Sequence, residues 1–235
     1  MAKKRDYIEE IISKKSRIHK SKRWNLVISH LRTMRECIKI LEIVGGEADY
    51  LEEKHNLFTV RQIDYLDSFF PIKCVACVEG YFRLVYAHLI DFGNPFRNNA
   101  KHFSEIKFSI ETVLSLDMGD VSVGDFISHL LPINRFESVN SVMSTLIGGN
   151  FKDKLKVLFL NKPHMIPFFG TKEDIFNDII KIISEMFKLR HVYCHELGSP
   201  NKVITTPNGF VESTTKFLHL TELVVEELTE KTIGN

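Results

Sequence analysis

Residues 171 to 198 read TKEDIFNDIIKIISEMFKLRHVYCHELG, and this stretch decides the fold class. Thr171 and Asp174 stand three apart just ahead of an apolar pattern, an arrangement in which a hydroxyl and a carboxylate satisfy N–H groups left open at a helix start. Gly198-Ser199-Pro200 supplies the stop. On a wheel of about 100° per residue, Phe176, Ile179, Ile180, Ile183, Met186, Phe187, Cys194 and Leu197 fall in one arc, and Arg190 lies inside it. The spacing therefore predicts one long amphipathic helix whose apolar face needs partner helices.

Working outward, KVITT and FVEST flank Pro207-Asn208-Gly209, a turn signal between two β-prone runs, which predicts a small hairpin near residues 202–213. Phe217, Leu220, Val224 and Leu228 then outline a closing helix. Upstream, residues 61 to 91 form a candidate central helix, apolar almost all round between Val75 and Ile90, which Pro71 starts or kinks. Gly93-Asn94-Pro95 breaks the chain. Short helices follow, with capping-box signals at Ser122 with Asp125 and at Asn134 with Glu137. Trp24, Val27, Ile28, Leu31, Met34, Ile38 and Leu41 make one stripe on a helix ending near Gly45-Gly46. The expected fold class is all-α, a helical bundle with one small hairpin.

Composition sets the limits. A chain of 235 residues, 44% hydrophobic and 26% charged, suffices for one core plus a helical extension. It contains no apolar run near the roughly 18 residues of a membrane span, and MAKKRDYIEEIISKK has no apolar stretch behind its charges, so neither insertion nor export is expected. Cys37, Cys74, Cys77 and Cys194 read as reduced thiols, and the expected location is cytoplasmic. Cys74 and Cys77 sit in an apolar helical run without a second pair, as buried small residues do. No Gly-rich phosphate loop, HExxH or GxSxG sequence is present.

Charge is unevenly placed. Residues 1 to 40 hold twelve Lys/Arg against four Asp/Glu, so the overall +1 leaves about −7 for residues 41 to 235. Lys3, Lys4, Arg5, Lys14, Lys15, Arg17, Lys20, Lys22 and Arg23 are candidate nucleic-acid-binding residues, because such an end displaces counterions from a phosphate backbone. The bland alternative is a solvated helix face.

Arg190 and His195 form an Arg-x4-His pair, about 140° apart around the helix and about 7.5 Å along it. Ten arginines and ten histidines give about 0.4 such matches by chance. The chain has three. Arg83 and His88 read as helix surface beside Glu79 and as core packing respectively. Arg97 and His102 follow the Gly-Asn-Pro turn rather than a long amphipathic helix. For Arg190 and His195, two other readings stay open. One is structural, with Arg190 on loop carbonyls and His195 near the negative end of the helix dipole. The other is a metal site using His191 and His195 at i and i+4, with Cys194 and Glu196 nearby; two ligands without a further cluster leave no metal in the preferred reading.

LRHVYCHEL at the end of a long capped helix resembles the Arg-(polar)-x3-His motif of HEPN domains, with Arg190, His191 and His195 matching. VACVEGYFRLVYAHLID is similar to the early helix of RiboL-PSP type HEPN proteins, and the short helices from 122 to 160 follow their order. The resemblance covers about residues 61 to 230. It implies a HEPN-like helical domain over 61–235 behind a basic N-terminal helical extension over 1–60. It also implies metal-independent RNA cleavage without cofactor, in which the ribose 2′-OH attacks the adjacent phosphate and leaves a 2′,3′-cyclic end. Catalytic roles would fall to Arg190, which holds phosphoryl oxygens, His195, which moves a proton, and His191, which orients RNA or assists proton transfer. The implied assembly is a homodimer. Leu197 stands where HEPN toxins paired with nucleotidyltransferase antitoxins typically carry a tyrosine, a departure that counts against that antitoxin type; another antitoxin or regulatory partner is left open. So is the choice among defence, toxicity and RNA processing. A non-catalytic RNA- or protein-binding module is the alternative.

Overall fold

In the computed structural model, the described residues are 23–46, 65–103, 121–161, 171–195 and 203–233. They are mostly helical, with no strand among them: α1 (Arg23–Gly46), α2 (Phe69–Phe92), α3 (Phe96–Asn99) with a 3-10 turn (Ala100–His102), α4 (Val123–Leu130), α5 (Phe136–Ile147), α6 (Phe151–Leu160), α7 (Lys172–His195) and α8 (Pro207–Ile233). No described helix is long and apolar enough to cross a membrane. Described parts of Met1–Trp24, Glu79–Asn161 and Thr221–Asn235 form one unit, and those of Asn25–Val78 and Lys162–Leu220 a second. The boundary expected near residue 60 lies outside the described residues.

The stripe read on α1 is the face that packs: Val27, Leu31 and Ile38 are buried, while Trp24, Ile28, Met34 and Leu41 are half-buried. On α2, Pro71 sits in the first turn, where its missing N–H would have no helical acceptor. From Cys74 to Ile90, α2 is buried at ten positions, among them Val75, Val78, Tyr81, Phe82, Val85 and Leu89. Each large side chain so enclosed contributes about 1.5–3 kcal/mol of transfer free energy.

In the second unit, α2, α7 and α8 meet where the Thr214 hydroxyl lies 3.4 Å from Met186 Sδ and hydrogen-bonds Cys74. In the first unit, Phe82 packs edge-on against Phe151 of α6, with ring centroids 6.1 Å apart. Asn99 donates to the Leu146 carbonyl at 2.9 Å, tying the α3 turn to α5. Gly148, at φ 65°, ends α5 in the left-handed region that glycine tolerates.

The capping expectations met different fates. Thr171 Oγ1 accepts from Asp174 N–H at 3.1 Å and Asp174 Oδ2 accepts from Thr171 N–H at 2.8 Å, a reciprocal box at the start of α7. These bonds to Thr171 hold the exposed Asp174 carboxyl below its ordinary pKa. Ser122 caps α4, accepting from Asp125 N–H at 3.0 Å. Asn134 does not cap α5: the N-cap is Arg135, and Asn134 Oδ1 instead accepts from Ser138 Oγ at 3.1 Å.

The hairpin expected over 202–213 is corrected. Pro207, Asn208, Gly209 and the FVEST run all belong to α8. Thr206 Oγ1 accepts from Gly209 N–H at 3.2 Å, as an N-cap does, and Pro207 at the first helical position loses no helical bond. Phe210, Val211, Thr214, Phe217, Leu218 and Thr221 are buried at spacings of three and four. Burial of one helical face thus overrides the β preference of the branched residues.

Gly124 measures how closely α4 approaches α2. Its N–H donates to Asp91 Oδ1 at 2.8 Å, and a Cβ there would overlap the Ala87 carbonyl and the Asp91 carboxylate. Gly124→Ala should therefore lower stability by about 1–3 kcal/mol. Gly80 is exposed within α2, and a Cβ added there would meet open space, so Gly80→Ala should gain about 0.5–1 kcal/mol. Urea unfolding of both variants checks the pair, and equal midpoints would contradict the close approach.

Candidate functional site

Arg190, His191 and His195 occupy the last two turns of α7. The helix is packed along Phe176, Ile179, Ile180, Ile183, Met186 and Phe187 and its last buried residue is Leu189; none of the described side chains from 190 to 194 is buried. Arg190 is half-buried rather than core-facing, His191 is exposed, and Cys194, expected in the apolar arc, is exposed. Among the described residues, burial along α7 thus ends at Leu189, short of the arc's predicted extent. His195 is the last helical residue, and its side chain lies outside the described residues, as do Glu196 and Leu197. Among the described residues, no three His, Cys, Asp or Glu groups are placed to hold a metal ion.

Beside this turn lies Tyr193, half-buried. Its phenol is raised in pKa, first by burial and then by the Asp67 carboxylate from the turn preceding α2. Asp67 and Tyr193 belong to the same unit, and their electrostatic interaction is one that spacing in the sequence does not reveal.

The other two Arg-x4-His pairs have structural settings. Arg83 Nη1 donates to the carbonyls of Ser128 at 3.3 Å and His129 at 3.2 Å, at the C-terminal end of α4 where carbonyls lack helical donors. His88 is half-buried, its ring 6.1 Å from that of Phe92. Arg97 and His102 are both exposed on the short turns after α2.

Lys3, Lys4, Arg5, Lys14, Lys15, Arg17, Lys20 and Lys22 lie outside the described residues. Arg23 is placed, and it is not on the surface: it is 5% exposed and grips Glu222 with two bonds, Nε to Oε2 at 3.0 Å and Nη2 to Oε1 at 2.7 Å. Tyr81 donates to the same Oε2 at 2.5 Å. Burial first, and then the Glu222 carboxylate that holds its proton, push the Tyr81 phenol well above the ordinary tyrosine value.

Cys74 and Cys77 behave as packing residues. Burial raises Cys74 from 9.0 to about 12, with Thr214 acting in the opposite direction, and raises Cys77 to about 11 against the lowering effect of Lys73. Neither is the exposed, low-pKa thiolate that redox or metal chemistry uses. The Tyr86 hydroxyl, also raised by burial, has no hydrogen-bond partner among the described residues.

These raised groups imply an alkaline weakness. In the unfolded chain the thiols lose protons near 9.0, whereas the folded chain keeps them to about 11 and about 12. Above about pH 9 the unfolded state therefore binds fewer protons, so the stability present below that pH is lost progressively as pH rises. Urea midpoints should fall between about pH 8 and about pH 11, and less steeply in Cys77→Ala. A flat profile would contradict the burial of these thiols.

Compared with known proteins, the chain matches no family model, no curated protein and no solved structure.

Proposed function

We propose that the chain is a metal-independent endoribonuclease of HEPN type, acting through Arg190 and His195 with His191 beside them. The observation that supports this reading is the placement of all three on the final turns of one 24-residue helix, past its last buried residue, with Arg190 half-buried and His191 exposed. In this reading a packed helix presents the Arg190 guanidinium and the His191 imidazole to RNA, with His195 one turn beyond His191 in the chain.

The residue types suit transesterification. The 2′-OH gives up its proton as its oxygen attacks phosphorus, and the 5′ oxygen of the next nucleotide leaves with a proton. Imidazole suits such transfers near neutral pH, which is the role of His195. A guanidinium binds two phosphoryl oxygens at once as their charge grows, which is the role of Arg190. His191 orients the RNA. A two-fold dimer that faces two motif turns across one cleft belongs to the same reading, with Lys3 to Lys22 adding salt-dependent attraction for phosphate.

The test is incubation of the purified full chain with mixed RNAs in EDTA, with analysis of the new ends. Cyclic-phosphate ends are expected, and His195→Ala and Arg190→Ala should each slow cleavage by about 100- to 10,000-fold while remaining folded. His102→Ala should match the parent. Wild-type rates in both motif variants would remove the site assignment, and dependence on added metal would favour the His191 and His195 metal reading.

The dimer is checked separately, by sedimentation at micromolar concentration. A dimer is expected, and Arg190→Ala should weaken it if this face forms the contact. A monomer throughout would remove the dimer from the reading.

A further inference from the structure

Among the exposed large hydrophobic side chains of the described residues, Tyr65 and Phe69, 68% and 45% exposed, are the aromatic ones. They lie four residues apart, on the turn before α2 and at its first position, and exposed Lys73 follows four residues later. Phe69 and Lys73 share one face of α2, and Tyr65 joins them through its ring contact with Phe69. The two rings pack edge to face, with centroids 5.9 Å apart and planes at 72°. Ser68 Oγ donates to the Tyr65 carbonyl at 2.6 Å and closes the turn that brings the rings together.

Burial in the fold does not account for this pair, since most of the Tyr65 surface stays in water. Its position gives another account. Asp67, between the two aromatics in sequence, is in electrostatic reach of Tyr193, three residues after Arg190 and two before His195. The exposed rings and the motif turn belong to the same unit, linked by that Asp67–Tyr193 interaction.

We propose that Tyr65 and Phe69 form a stacking platform for unpaired RNA bases, with Lys73 on the adjoining phosphate, so that the substrate class is single-stranded RNA. The proposal deepens the RNA reading of the motif turn and rests on it. Every base has a π-face, so aromatic rings hold single strands with little sequence preference. Duplex RNA keeps those faces inside its own stack, and its deep major groove is closed to side chains. A protein partner fits less well, because two rings and a lysine are far smaller than the roughly 800 Å² per partner of a stable interface.

Binding is measured apart from cleavage, using full-length His195→Ala and a fluorescent oligouridine, alone and paired with its complement. Tyr65→Ala and Phe69→Ala should each weaken the single-strand complex by about 5- to 150-fold, the range for loss of one stacked base, and Tyr65→Trp should retain affinity. Duplex affinity should not change. Lys73→Ala should reduce the salt dependence, which the ring variants leave intact. Unchanged single-strand affinity in both ring variants would overturn the platform, as would equal losses on single strand and duplex, or a wild-type chain that binds no RNA. The two readings fail differently. Cleavage that depends on His195 with ring variants that bind normally would remove the platform and keep the nuclease. Stacking-dependent binding by a wild-type chain that cuts no RNA would do the reverse.

Discussion

A helix buried over a broad arc cannot rest against one neighbour; it has to be packed on several sides. α2 imposes that constraint, for between Cys74 and Ile90 its buried positions spread over such an arc, leaving Ala76 and Gly80 on the exposed side. Up to Val78 it contributes to the unit holding α7 and the first part of α8, and from Glu79 to the unit holding α4, α5 and α6. Where α4 comes close to α2, the sequence supplies glycine: Gly124 lets the α4 backbone come against Ala87, and its N–H donates to Asp91. Arg83, one of the polar residues on α2, closes the other end of α4 through two carbonyls. An eight-residue helix, too short to persist alone, is thereby fixed at both ends by α2.

How much of this is legible in the sequence depends on the range of the determining interaction. The start of α7 rests on Thr171 and Asp174, three residues apart, and the stripe of α1 rests on spacings of three, four and seven, so both can be read locally. The segment around Pro207 shows the limit. Thr206-Pro207-Asn208-Gly209 satisfies the chemistry of a turn and equally that of an N-cap followed by a first helical turn. Only the burial of Phe210, Val211, Thr214 and Phe217 along one face decides between them. Arg23 lies beyond any local reading, because its carboxylate partner is 199 residues away. Read alone, it joins the run of cations before it; enclosed with Glu222 and Tyr81, it becomes a structural charge whose removal would strand a carboxylate.

The candidate site shows the same division. Arg190, His191 and His195 are visible as a motif, whereas the degree to which they are accessible is not, since it depends on where α7 loses its packing neighbours. The wheel carries the apolar arc on to Cys194, but burial ends at Leu189. The neighbourhood of Asp67 and Tyr193 is likewise invisible to spacing, as the two residues belong to segments 126 positions apart.

These features give α7 two unlike ends. Its start is held by a reciprocal capping box, its middle by side chains that are fully or almost fully enclosed, and its final turns by progressively less. For a catalytic group this is a favourable gradient. Rotational freedom lost in the buried turns does not have to be lost again when a ligand binds, so a side chain on the last turn starts near its working position. A fully buried Arg190 would have to surrender a fixed anion before gripping phosphate, and one on a free loop would lose entropy on every encounter. Half-burial on the end of a packed helix lies between these extremes, so in the proposed reading Arg190 would meet phosphate from a backbone already ordered by packing.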